Sequence, residues 1–200
     1  MQGRPSFTQV LNNVSKVYKD NREKIINQVE QMKLVFKEFN LKTAVIKQDV
    51  EPLVEKILQY MDEKNGGFKG APKFPQLYIF DTIFYFYNKN KKNTFLDVVR
   101  KLLNNISSKG IYDHLGGGIS RYTVDEKWIV PHFEKMLYDN ILFVRTVNNY
   151  LVVKKDKKLN DKLIQTINFI NNEFLNDKNL LGSAYDADSE GIEGKYYVWS

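Results

Sequence analysis

The sequence predicts an all-α fold of antiparallel helical hairpins with one small β-hairpin near the C-terminus. Three observations carry this reading. Apolar residues recur at spacings of three and four along most of the 200-residue chain. Short Lys- and Asn-rich turns separate the periodic stretches. From Leu180 onward the helical period stops, and a turn at Gly191 to Gly194 lies between polar and aromatic runs.

Phe7, Val10, Leu11, Val14 and Val17 form the first stripe, with Ser6 placed to cap it; Ile25, Val29, Met32 and Phe36 form the second. A short extended stretch is expected around Leu41 to Ile46. Pro52 then sits just inside a third helix marked by Val54, Ile57, Leu58 and Met61, which Asn65-Gly66-Gly67 should end. The next segment, Gln76 to Asn88, is rich in Tyr, Phe and Ile, residues that favour strands. Phe80, Ile83, Phe84 and Tyr87 nevertheless keep helical spacing. Phe95, Val98, Val99, Leu102 and Ile106 mark a fifth helix, stopped at Lys109-Gly110.

A long helix is expected from Pro131, with Phe133, Leu137, Ile141, Val144 and Leu151 on one stripe and other apolar residues around it, as in an inner helix. Leu163, Ile167, Ile170 and Phe174 give the single stripe of an outer helix. Three glycine-rich loops, at residues 65–76, 110–130 and 181–196, each follow a helix. Helical hairpins that share a loop-bearing face suggest a toroid or solenoid of helix pairs. No exact sequence repeat is visible.

Composition narrows the function. The net charge of +6 comes almost wholly from lysines in turns, which is an ordinary solvated surface, so nucleic acid is not expected as a partner. No apolar run reaches the roughly 20 residues of a membrane span, and the first residues lack the layout of a signal peptide. No membrane partner and a cytoplasmic location are expected. The chain has no cysteine, which excludes disulfides, thiolate metal sites and thiol redox chemistry within these residues.

Three segments carry a more specific signal: GGFKGAPKFPQ (66–76), GIYDHLGGGISRYTVDEKWIVPHFEKMLYDN (110–140) and SAYDADSEGIEGKYYVW (183–199). In this order they resemble signature segments of the thioredoxin domain-containing family that includes spermatogenesis-associated protein 20. GRPSF (3–7) resembles that family's segment near the end of the thioredoxin-like part. The resemblance implies a thioredoxin-like domain followed by a six-hairpin toroid similar to those of glycosidases and N-acylglucosamine 2-epimerases. It also implies that this chain is an internal piece: residues 1–40 the tail of the first domain, residues 41–200 the opening hairpins of the toroid, and the thioredoxin-like domain itself an upstream partner.

Residues 110–140 hold both histidines. His132 follows Pro131, so a helix starting there would place its ring at a helix N-terminus, where the dipole favours a neutral imidazole able to act as a general base. His114 lies beside Asp113, and a carboxylate or carbonyl there would fix its tautomer. Gly117, within Gly116-Gly117-Gly118, allows close backbone approach to a ligand. Arg121 and Tyr122 suit hydroxyls or a carboxylate, and Trp128 offers a sugar ring an apolar face. Glu134 and Asp139 would stand roughly 140° apart on the same helix, so they are not read as a pair.

The acidic loop from Asp186 resembles the first half of an EF-hand, but Tyr197 stands at the twelfth position, and the motif is rejected. Asp186 and Asp188 read instead as a carboxylate pair for glycoside chemistry or hydroxyl binding. Each of these residues also reads as packing or as a solvated turn. No metal and no cofactor are expected. Three functions follow: a carbohydrate-active epimerase or hydrolase; a redox protein whose activity lies in the thioredoxin-like domain; and a binding or scaffold module.

Overall fold

A computed structural model describes residues 5–39 and 50–198. The chain divides into two compact units, Met1–Asp49 and Val50–Ser200. In the first, α1 (Phe7–Asp20) is followed by α2 (Arg22–Phe39) with Asn21 alone between them. Ser6 caps α1 as expected: its Oγ accepts from the Gln9 amide, and its own amide donates to Gln9 Oε1 at 2.7 Å. No α1 residue is buried, and its apolar stripe is exposed, Phe7 by 78%. The expected extended stretch at Leu41 to Ile46 lies outside the described residues.

The second unit is built from α3 (Glu51–Leu58), α4 (Leu77–Asn90), α5 (Asn93–Ser108), α6 (Leu137–Val153) and α7 (Lys157–Phe169), which runs into a π-helical turn, Ile170–Phe174. α4 and α6 pack on each other, α4 also on α5 and α6 on α7. The strand-favouring side chains of α4 are overridden by burial: Phe80 and Ile83 are wholly enclosed in the core with Val99, Leu102, Ile106, Phe143 and Val147. A polar clasp joins the two inner helices. Asp81 accepts from Arg145 Nε at 2.5 Å and from Thr146 Oγ1 at 2.8 Å.

Two expected boundaries are corrected. α3 ends at Leu58, and Met61 already bridges to Phe68. α6 begins at Leu137, not Pro131. The buried faces also differ: α6 buries Asp139, Asn140, Phe143, Thr146, Val147 and Tyr150 rather than the Leu137/Ile141 stripe. α7 buries Leu159, Leu163, Thr166 and Phe169, leaving Ile167 exposed.

The loops after α3, α5 and the π-helical turn repeat one backbone design that the sequence does not display. Asp62 N–H donates to Gly67 O at 2.7 Å, Asp113 N–H to Gly118 O at 2.9 Å and Asn176 N–H to Leu180 O at 2.9 Å. In each loop the side-chain Oδ1 of that residue accepts from two following amides. Flanking bridges close the loops: Met61 with Phe68, Tyr112 with Ile119, Leu175 with Leu181. In the first two a buried lysine from a later segment neutralises the aspartate, Lys73 on Asp62 at 2.6 Å and Lys135 on Asp113 at 2.7 Å.

Short antiparallel pairs complete the unit: β1 (Tyr122–Thr123) with β2 (Pro131–His132), β3 (Lys135–Met136) with β4 (Ala184–Tyr185), and β5 (Asp188–Ser189) with β6 (Ile192–Glu193). The expected terminal hairpin is present, but its turn is Glu190-Gly191, with φ of 55° and 76°. Two positive φ values are what a two-residue hairpin turn matched to strand twist requires. No described helix is long and apolar enough to cross a membrane.

Two glycines test this packing. Gly118 has φ +82°, and an added Cβ would lie 2.5 Å from the Phe169 ring and 2.8 Å from Asn140 Oδ1; Gly191 has φ +76° and nothing within 4 Å. Gly118→Ala should lower stability by about 2–4 kcal/mol in urea denaturation, combining strain and overpacking. Gly191→Ala, with strain alone, should cost about 1–2 kcal/mol.

Candidate functional site

Residues 131–136 run extended and divide the candidate residues between two faces. Successive side chains on an extended chain point to opposite sides. His132 and Glu134 share one side, Phe133 and Lys135 the other. The helix expected from Pro131 does not form because the approach to it is extended. Asp125 gathers the amides of Lys127, Ile129 and Val130, and Val130, which precedes a proline, is disfavoured from helical geometry. β2 then pairs with β1 in the register Tyr122 to His132.

His132 is therefore not at a helix N-terminus, and a helix dipole does not set its state. It is held by contacts instead. Its Nδ1 lies 2.6 Å from Glu193 Oε1, its ring stacks on Tyr122 at 4.7 Å and 15°, and Nε2 faces Glu134 Oε2 at 4.0 Å. Glu134, likewise off the helix, accepts from Arg121 Nη1 at 2.9 Å, and the Arg121 amide donates to Glu134 O at 2.8 Å. Phe74 covers the other side of Tyr122 at 4.7 Å.

Asp139, in the first turn of α6, is 8% exposed. Burial pushes its carboxyl up to about 6, against the pull of the Arg121 charge and the Tyr138 hydroxyl, with Glu134 adding to the rise. The structure thus brings together His132, Arg121, Tyr122, Glu134 and Asp139. Glu193 joins them.

The opposite face forms a cavity of about 400 Å³ lined by Lys135, Asp113, Glu173, Tyr185, Asp186, Asp188, Tyr197 and neighbours. Lys135 is 2% exposed and forms its floor. It donates to Asp113 Oδ2 at 2.7 Å and Gly117 O at 2.9 Å, and its ammonium lies 4.4 Å over the Phe169 ring. Burial draws the Lys135 ammonium below the ordinary lysine value, with the Asp113 pair opposing it. Burial would raise Asp113, but Lys135 and the amides of Gly116 and Leu115 hold it below the usual carboxylate range. Tyr197, stacked on Phe133 at 5.1 Å, is pushed up to about 12 by burial and the nearby Asp113 charge, so its hydroxyl remains a donor.

Asp186 and Asp188 line this cavity and not the His132 side. Asp188 nevertheless pairs across the hairpin with Glu193, the partner of His132. Asp186 Oδ1 accepts from the Asp188 amide at 3.2 Å.

Other candidates take structural positions. His114 is exposed and apart from both clusters, its Nε2 3.1 Å from Lys109 O and its Nδ1 3.3 Å from Lys162 Nζ. Asp113 serves Lys135 rather than His114. Trp128 is fully buried; its Nε1 donates to Asn65 O at 2.9 Å and its ring faces Lys73 at 5.1 Å, leaving no face for a sugar. Gly117, at φ +91°, contributes its carbonyl to Lys135 and packs on Gln165.

Sequence reasoning missed Lys135, Glu193, Tyr185 and Tyr197. A period of two over 131–136 would have placed Lys135 beside Phe133. Nothing local marks Glu193. Among the described residues no group of three or more His, Cys, Asp or Glu is arranged to hold a metal.

No family model matches the chain. It is 32% identical to human spermatogenesis-associated protein 20 over 149 positions, covering 70% of this chain and 19% of that protein, and equally to the mouse protein. The chain therefore spans about a fifth of the length of the curated relatives it matches. Among solved structures, it resembles cellobiose 2-epimerase from Bacillus thermoamylovorans with TM-score 0.55 and 18% identity, covering 68% of this chain and 41% of that one. A sugar epimerase from a ruminal bacterium matches at TM-score 0.57, 18% identity and 71% and 41% coverage. At these identities the likeness shows the fold: helical hairpins forming part of an (α/α)6 toroid.

Asp139 gives this cluster a signature in stability. A carboxyl with a folded pKa of about 6 against 3.8 holds its proton more tightly when folded. Stability should therefore fall as pH rises from about 4 to about 6, by on the order of 2 kcal/mol. The depressed aspartates Asp62, Asp113 and Asp125 act with opposite sign below that window. Asp139→Asn should remove the pH 4–6 component in urea denaturation series.

Proposed function

We propose, for a chain homologous to spermatogenesis-associated protein 20 over 70% of its length, that the toroid acts on carbohydrate by moving protons at His132. The observation that carries this reading is the Glu193–His132 contact of 2.6 Å at Nδ1, with Nε2 on the opposite edge facing Glu134 at 4.0 Å. A carboxylate at one ring nitrogen sets the tautomer and leaves the other to take or give a proton. Arg121, beside it, supplies fixed positive charge for an enolate-like oxygen. In this reading His132 removes a proton from the carbon next to a sugar carbonyl, and the proton returns on the other face. The fold shared with sugar epimerases supports the class of reaction by analogy, and the site supports it by chemistry.

A glycosidase-like role would instead draw on Asp186 and Asp188, across the extended segment from His132 and in a cavity with tyrosine walls. The epimerase-like role ranks first because four other candidate residues, Arg121, Tyr122, Glu134 and Asp139, gather with His132.

A second reading has its own support. The 200 residues contain no cysteine, and the chain spans 19% of its human relative. Redox activity of the parent would then reside in a thioredoxin-like domain upstream, and the toroid would bind or present its substrate. In this reading residues 1–40 would be the tail of that domain.

Deuterium exchange at C2 of reducing sugars, followed by NMR in D₂O, separates the readings. Exchange into glucose, N-acetylglucosamine or cellobiose is expected, falling by at least about 10²-fold in His132→Ala, the scale of general-base catalysis. Glu193→Gln should lower it less. Failure of every sugar to exchange, or full activity in His132→Ala, would overturn the proposal.

A further inference from the structure

The cavity on the Lys135 face takes no part in the chemistry assigned to His132, and its lining favours one class of ligand. Its volume of about 400 Å³ is in the range of small-molecule sites. The floor is built and closed. Lys135 is 2% exposed, and Asp113 cancels its charge at 2.7 Å. The Phe169 and Tyr197 rings lie against the same ammonium, so the floor keeps no charge for a ligand.

The charge that remains is all of one sign. Glu173, Asp186 and Asp188 line the cavity, are exposed to solvent, and make no ion pair among the described residues. Little of their hydrogen-bonding capacity is used. Asp186 Oδ1 accepts from the Asp188 amide at 3.2 Å, and Glu173 Oε2 meets the Tyr185 hydroxyl at 3.4 Å. Free acceptors therefore gather around one reachable space, with no cation of their own.

Two kinds of ligand fit badly. An anion would be repelled by the three carboxylates. A bare divalent cation needs carboxylate oxygens that converge on one point. Among the described residues no three acidic or histidine side chains are so arranged. A cation larger than a metal ion, bringing its own N–H donors, can spread its contacts over the cavity instead. The tyrosine walls, Tyr185 and Tyr196, suit the same ligand, because an aromatic face attracts an organic ammonium.

We propose that this cavity binds a small organic cation, a protonated amine, held by Glu173, Asp186 and Asp188 with tyrosine at its side. The inference is independent of the carbohydrate reading, whose own test is exchange at His132. The amine belongs either to an amino sugar or to an aliphatic diamine, and the probes below tell these apart.

The test is calorimetric titration of the 200-residue chain at about pH 6.5, where carboxylates are ionised and amines hold their proton. Glucosamine and putrescine are the charged probes, and N-acetylglucosamine is the uncharged control of the same ring. At least one charged probe should bind, and N-acetylglucosamine should bind at least about tenfold more weakly than glucosamine or not at all. Glucosamine as the tighter probe assigns the site to amino sugars; putrescine assigns it to aliphatic amines. The double variant Asp186→Asn with Asp188→Asn keeps both side chains as hydrogen-bond acceptors, so its urea midpoint should stay while amine affinity falls at least about tenfold. Asp161→Asn, which removes an exposed acid outside the cavity, should leave the affinity unchanged. Heat from neither amine, equal binding of glucosamine and N-acetylglucosamine, or undiminished affinity in the double variant would each overturn the proposal.

Discussion

The Lys135 ammonium is the contact on which most of the second unit depends. Burying an ammonium is costly unless its partners are close and complete. Here they come from every neighbouring element: Asp113 and Gly117 from the loop after α5, Phe169 from the end of α7, and Tyr197 from the C-terminal segment. Its own strand, β3, pairs with β4 through Tyr185. One side chain therefore sets the distance between a loop, a helix end and two strands. Lys73 does the same for the preceding loop, where it meets Asp62 and the Trp128 ring. Because the device recurs, we read Lys135 as the floor of its cavity and not as a reacting group.

Fixing Lys135 on one face fixes what the other face presents. With Phe133 and Lys135 turned toward Tyr197, His132 and Glu134 must turn toward Arg121 and Glu193. The late start of α6 has the same effect, since a helix from Pro131 would have scattered these side chains around an axis. The site so formed carries a stability penalty at Asp139, whose carboxyl burial pushes up to about 6.

Much of this was legible in the sequence. α1, α4 and α5 follow their apolar spacing, and Ser6 caps where a serine three residues before a glutamine should. The terminal hairpin was visible from its glycines, though its turn lies one step earlier, at Glu190-Gly191. The misreading at Pro131 has a physical origin: proline suits both the first turn of a helix and a short edge strand, and a two-residue strand has no period to read. Trp128 could not be told from a ligand-facing aromatic until Asn65 and Lys73 were found around it. Lys135 was invisible because lysine normally marks solvent, and its partner Asp113 lies 22 residues away. Residues Arg121, Tyr122, Glu134 and Asp139 were singled out for their chemistry, while the contacts that join them to His132 depend on strand pairing that no local pattern reports.

The most direct test of this account is a double-mutant cycle in urea between Asp113→Asn and Lys135→Met, because it isolates the contact from the loop and from the packing around it. The account predicts a coupling of at least about 2 kcal/mol, with each single variant destabilised by several kcal/mol. Additive effects, with coupling near zero, would mean that the loop, β3 and α7 hold their places without this ion pair, and that the two faces of residues 131–136 are set by something else.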